Sequence, residues 1–111
     1  MSEHVRQTDP FRWQGVEVKP YKGEGAHFWG ITRQVLFHGG DGLGCELRYF
    51  EVAPGGWSSL ERHHHVHAVI IIRGAAHVLV GNHIVDARTH DLVRVPPLTW
   101  HQFQTQGQEP L

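Results

Sequence analysis

PGGWSSLERHHHVHAVIIIRG, residues 54 to 74, sets Glu61, His63, His65 and His67 at every second position and runs directly into the apolar segment Ala68–Ile72. Alternate side chains of an extended strand share a face. A carboxylate and three imidazoles therefore fall on one side of the same strand. Groups of that chemistry, converging on one face, can bind a metal ion.

The flanks of this stretch carry strand signals rather than helical ones. Upstream, Phe28–Phe37 (FWGITRQVLF) and Glu46–Ala53 (ELRYFEVA) are rich in aromatic and β-branched residues. The glycine-rich run His38–Gly44 separates them, and Pro54-Gly55-Gly56 is expected to stop the second. Downstream, Ala76–Val80 and His83–Ala87 flank Gly81-Asn82, a spacer suited to a tight hairpin turn. Asp91–Val95 halts at Pro96-Pro97, and Trp100–Gln106 forms a last strand. About seven short strands with turn signals between them predict an all-β sandwich or barrel. Residues 1–27, with Pro10 and Pro20 and no sustained period, read as an irregular N-terminal arm that Phe11 and Trp13 could anchor to a barrel domain over residues 28–111.

Composition narrows the function classes. Ten basic and eleven acidic residues in a chain of 111 give a formal charge of −1, without the cationic excess that nucleic acid or an anionic membrane would require. Small molecules and protein surfaces are the expected partners. The single cysteine, Cys45, can form neither an internal disulfide nor a paired-thiolate zinc site. No apolar run approaches the roughly 20 residues that span a bilayer, and the first residues do not read as a signal peptide. A cytoplasmic location follows as the expectation. The last residues, Gln108-Glu109-Pro110-Leu111, follow closely on a strand, so the natural protein is expected to continue beyond them.

The pattern from Gly44 to Gln106 resembles a small single-domain cupin, a jelly-roll β-barrel family. The first motif of that family has a Pro-Gly turn, His-x-His, three or four residues, a Glu, six residues and a Gly. Counting from Pro54 and back from Gly74 places its two histidines at Glu61 and His63 and its glutamate at His67. The second motif reads Gly, five residues, Pro-x-Gly, two residues, His, three residues, Asn. Here the proline is Pro96 and the histidine His101, whereas His90 and Leu98 stand at the glycine positions and Thr105 at the Asn.

The resemblance implies an all-β cupin barrel with one divalent transition metal ion held by Glu61, His63, His67 and His101. Glutamate and histidine have exchanged places, but the inventory of three nitrogens and one carboxylate is kept. His65 is the substitute for Glu61 if a turn brings it inward. Imidazole and carboxylate without thiolate suit Fe, Mn, Ni, Cu or Zn. The implied activity is dioxygenase-, isomerase- or lyase-type chemistry on a small organic molecule, with a non-catalytic binding or sensing module as the alternative.

Strand parity adds expectations around that site. His101 sends Phe103 and Thr105 inward and Trp100 and Gln102 outward, while Val69 and Ile71 share the parity of His67. Arg48, Tyr49 and His77 are candidates for polar contacts to an anionic substrate. The opposite face, Ala68, Ile70 and Ile72, needs cover from a homodimer partner or from the arm.

Overall fold

A computed structural model of the chain describes residues 4–23 and 26–111, so Met1–Glu3 and Glu24–Gly25 of the expected arm lie outside it. The chain forms strands β1 (Gln7–Asp9), β2 (Arg12–Trp13), β3 (Lys19–Pro20), β4 (Trp29–Phe37), β5 (Leu47–Trp57), β6 (His67–Ile70), β7 (Ala75–Val80), β8 (His83–Arg88), β9 (Leu92–Val95) and β10 (His101–Gln106). A six-stranded sheet has the order β3-β4-β5-β10-β7-β8, β6 and β9 form a second, two-stranded sheet, and β1 and β2 make a hairpin. All strand pairs are antiparallel. No helix among the described residues is long and apolar enough to cross a membrane.

Apolar side chains are buried in two clusters, the first drawing on both sheets and the second on the main sheet and its flanks. Ile71, Ala76, Val78, Ala87, Val93 and Val95 form one, with Val69, Val80, Phe103 and Leu111 packed against it. Tyr21, Ile31 and Val52 form the other, joined by Phe28, Phe50 and again Leu111. The inward parity expected for Val69, Ile71 and Phe103 is therefore the observed one. Burying a Val or Ile side chain stabilises by about 1.5–3 kcal/mol, so the first cluster is a main source of the energy that holds the two sheets together.

Local chemistry accounts for the connections. β7 and β8 pair from Val80↔His83 onward, and Gly81, at φ +64°, supplies the left-handed backbone that the two-residue turn demands. The expected stop at Pro54 does not occur, because β5 runs on to Trp57. The glycines absorb the irregularity as a bulge: Ile31 faces Val52, yet the next pair is Trp29↔Trp57. Gly56 is needed there, since a Cβ would lie 2.7 Å from the Trp29 carbonyl oxygen.

The N-terminal arm is less irregular than its sequence suggests. β3 extends the main sheet through Lys19↔Arg33 and Pro20↔Thr32. The β1–β2 hairpin covers the face of β4 and β5 that carries Gln34, Tyr49 and Glu51. Phe11 stacks on Tyr49 at 5.6 Å, Trp13 meets it edge-on at 5.3 Å, and buried Gln34 donates to the Phe11 carbonyl at 3.1 Å. Arg12 pairs with Glu51 at 2.9 Å, and Arg73 lies 4.1 Å over the Phe11 ring. The arm thus leaves Ile70 of the second sheet and Ile72 just beyond β6 exposed, and Leu92, the partner of Ile70, is exposed with them.

Candidate metal centre

The site residues arrive from three places. His67 opens β6 and pairs with Val95; His101 opens β10 and pairs with Val80. Glu61 lies in the β5–β6 connection and forms a bridge to His101, with Glu61 N–H donating to His101 O at 3.2 Å and His101 N–H to Glu61 O at 3.0 Å. His63 follows, held by a hydrogen bond from Leu98 N–H to its carbonyl at 2.7 Å. Leu98 reaches that carbonyl from a left-handed conformation, φ +57°, and His90 adopts φ +77°. Both departures from the motif glycines are therefore non-glycine residues in glycine conformations.

His63, His67 and His101 each offer a ring nitrogen, and these atoms lie within 4.8 Å of one another. The Nε2 atoms of His63 and His67 approach to 2.8 Å. Two imidazole lone pairs repel at that distance, so a proton or a cation belongs between them. Glu61 Oε1 lies 4.0 Å from both His63 Nε2 and His101 Nε2. Ligand atoms sharing one ion at about 2.1 Å sit roughly 3–4 Å apart. The three nitrogens are therefore compatible with a single metal ion, and the Glu61 carboxylate stands beside them.

The surroundings prepare the donors. The Nδ1 atoms of His63 and His101 lie 3.1 and 2.9 Å from the carbonyls of His65 and Thr99. An Nδ1–H donated to a carbonyl leaves Nε2 as the lone-pair donor. Burial pushes the His67 imidazole down to about 4, and the charges of His63, His65 and His101 add to that shift, so His67 is neutral at pH 7. Partial burial raises the Glu61 carboxyl, but the hydrogen bond and charge of Lys22, with help from Ser59 and His101, hold it below the usual carboxylate range. Lys22 and Ser59 both engage Oε2, the latter at 3.2 Å, which leaves Oε1 facing the histidines.

His65 lies outside the three-nitrogen group. Its ring is exposed and stacks on His63 with centroids 3.9 Å apart and planes 4° from parallel. Of the candidates for anion contact, Arg48 shares the inner face with Phe50 and Val52. Tyr49 lies on the opposite face under Phe11 and Trp13, and His77 is engaged by Asp86 at 2.6 Å on a half-exposed surface, so neither belongs to the site. Thr105 donates to the Ala53 carbonyl at 2.9 Å, outward Gln102 bonds Ser58 O at 2.9 Å, and exposed Trp100 carries Arg62 at 4.9 Å. Sequence reasoning missed Lys22, Ser59 and Tyr21, whose hydroxyl lies 3.1 Å from Ser59 Oγ. The arm has no period to reveal which of its residues turn inward.

Residues 48–111 match the Cupin domain family. The chain is 51% identical over 102 residues to a curated relative, the 1-methylthio-D-xylulose 5-phosphate methylsulfurylase of Rhodospirillum rubrum. The match takes in 91% of this chain, which spans 65% of that relative's length. A solved cupin 2 conserved barrel domain protein from Rhodopseudomonas palustris is 51% identical, with 98% of this chain and 75% of that one superposed at a TM-score of 0.87. A cupin-2 domain protein from Rhodospirillum rubrum is 48% identical, covering 98% of this chain and 72% of that one at a TM-score of 0.82.

Proposed function

Because the chain belongs to the cupin domain family, we propose that it is a metal-dependent enzyme whose substrate is a small ketose phosphate carrying a thioether. The observation that carries the metal reading is the convergence of His63, His67 and His101 within 4.8 Å. The substrate class comes from the name of the 51% identical Rhodospirillum rubrum relative. In 1-methylthio-D-xylulose 5-phosphate the ketone carbon stands between the thioether carbon and a hydroxylated carbon. A bound divalent ion would supply Lewis acidity to such a carbonyl.

The chain's own residues have separate tasks in this reading. His63, His67, His101 and Glu61 hold the ion. The carbonyls of His65 and Thr99 fix the ring orientations of His63 and His101. Lys22 and Ser59 keep the Glu61 carboxylate ionised and turned. Val69 and Phe103, two residues along from His67 and His101 on the same strand faces, pack into the apolar core behind them. A second copy of the chain is the partner this reading assigns to exposed Ile70, Ile72 and Leu92, which sedimentation equilibrium tests directly.

The experiment is incubation of protein loaded separately with Fe, Mn, Ni, Cu and Zn with 1-methylthio-D-xylulose 5-phosphate, following loss of the methylthio group by mass spectrometry. Metal-dependent loss supports the proposal. Oxygen consumption in the same assay would move the reading to dioxygenase chemistry. Tight ligand binding without turnover would move it to a sensing module.

A further inference from the structure

The inner face of β3, β4 and β5 carries a group of cations that the metal centre does not use. Lys19 stands directly across from Arg33, and Val35 across from Arg48, so Arg33 and Arg48 are diagonal neighbours on one face. That face is the inner one: Ile31, Val52 and Tyr21 share it and are buried in the core. It also leads to the metal centre, because the Tyr21 hydroxyl reaches Ser59, which donates to Glu61.

The cations are poorly compensated. Arg33 Nε is buried without a hydrogen-bond partner. No carboxylate is in ion-pair range of Lys19 or Arg33 among the described residues, whereas Arg48 uses its Nε to bond Glu46 at 2.6 Å. Like charges placed across a strand pair are destabilising, and a buried charged donor without an acceptor costs more still. An anion delivered to the inner face would relieve both. Guanidinium forks match the geometry of a phosphate, and an ammonium beside them adds a point charge.

We propose that Lys19, Arg33 and Arg48 form an anion subsite that grips the phosphate monoester of the substrate while its carbonyl end faces the histidines. The assignment rests on the ketose phosphate reading given above, and it places substrate selection on strands far in sequence from the metal motifs. Arg33 and Arg48 are then specificity-determining residues: they discriminate a phosphorylated sugar from the free sugar without touching the reacting carbons.

The test is calorimetric titration of D-xylulose 5-phosphate and D-xylulose into metal-free and metal-loaded protein, for wild type, Arg33→Gln and Arg48→Gln, with metal content measured separately. Wild type is expected to bind the phosphate ester at least about tenfold more tightly than the free sugar, equivalent to about 1.4 kcal/mol. Each variant should lose most of that preference while metal content is unchanged. If Arg33→Gln fails to fold, Arg48→Gln and Arg33→Lys carry the test, the lysine being expected to recover only part of the preference. A phosphate preference in metal-free protein that the variants lose supports the subsite even if no metal ever binds, so the two readings fail separately. Equal affinity for sugar and sugar phosphate in wild type, or variants that bind the ester as wild type does, overturns it.

Discussion

Glu61 and His101 exchange two backbone hydrogen bonds, of 3.2 and 3.0 Å, across an isolated bridge between the β5–β6 connection and the start of β10. The bridge sets the Glu61 carboxylate and the His101 ring at a fixed spacing, Oε1 to Nε2 4.0 Å. Two segments distant in sequence are thereby brought side by side.

Ligand substitutions should separate the roles within the site. His67→Ala and His101→Ala each remove a nitrogen from the group of three and are expected to abolish stable metal uptake. Glu61→Gln should weaken it by about 10–100-fold, the usual scale for loss of a supporting or weaker ligand. His65→Ala should leave uptake intact, because its ring stacks on His63 from outside. Competition titration against a chromophoric chelator reads all four.

Backbone strain at the second motif gives a stability prediction. Leu98 is half-exposed and held at φ +57°, a conformation that costs a side-chain-bearing residue roughly 1–2 kcal/mol. Leu98→Gly should therefore be more stable than Leu98→Ala by about 1 kcal/mol in urea unfolding, despite the greater flexibility of glycine in the unfolded chain. Equal stability of the two would show that the left-handed backbone is relaxed.

The arm's attachment should be pH-dependent. Burial, followed by the charge of Glu51, pushes the Tyr49 hydroxyl up to about 12. A folded value above the unfolded one, near 10, means that its contribution is complete below about pH 10 and is lost as pH rises through 12. Tyr49→Phe should flatten the fall in stability over that window. At the acid end, burial raises the Glu51 carboxyl but Arg12, Tyr49 and Arg73 outweigh it, so the net value is lowered. That contribution is present above the unfolded carboxylate range and fades as pH falls through the lowered value. Thermal unfolding of both proteins across pH checks the two limbs.

The legible parts of this molecule were those written in local chemistry. β-Branched and aromatic runs located the long strands, Gly81-Asn82 located the β7–β8 turn, and strand parity placed Val69, Ile71 and Phe103 in the core. Pro54-Gly55-Gly56 misled because a bulge uses the same residues as a strand stop, and only pairing with β4 tells them apart. Arg48 and Tyr49 were equally eligible for the site, since no residue of known orientation fixed the parity of β5. Lys22 and Arg12 were invisible because their partners, Glu61 and Glu51, lie far along the chain and no period marks the arm. The exclusion of His65 depends on how the loop stacks it over His63, which spacing alone does not encode.

The most direct measurement is elemental analysis of protein purified without a histidine tag, before and after chelation and reconstitution, alongside His101→Ala. About one divalent transition-metal ion per chain is predicted, removed by the chelator, restored on reconstitution and absent from His101→Ala. A chain that arrives empty and takes up none of Fe, Mn, Ni, Cu or Zn would contradict the account.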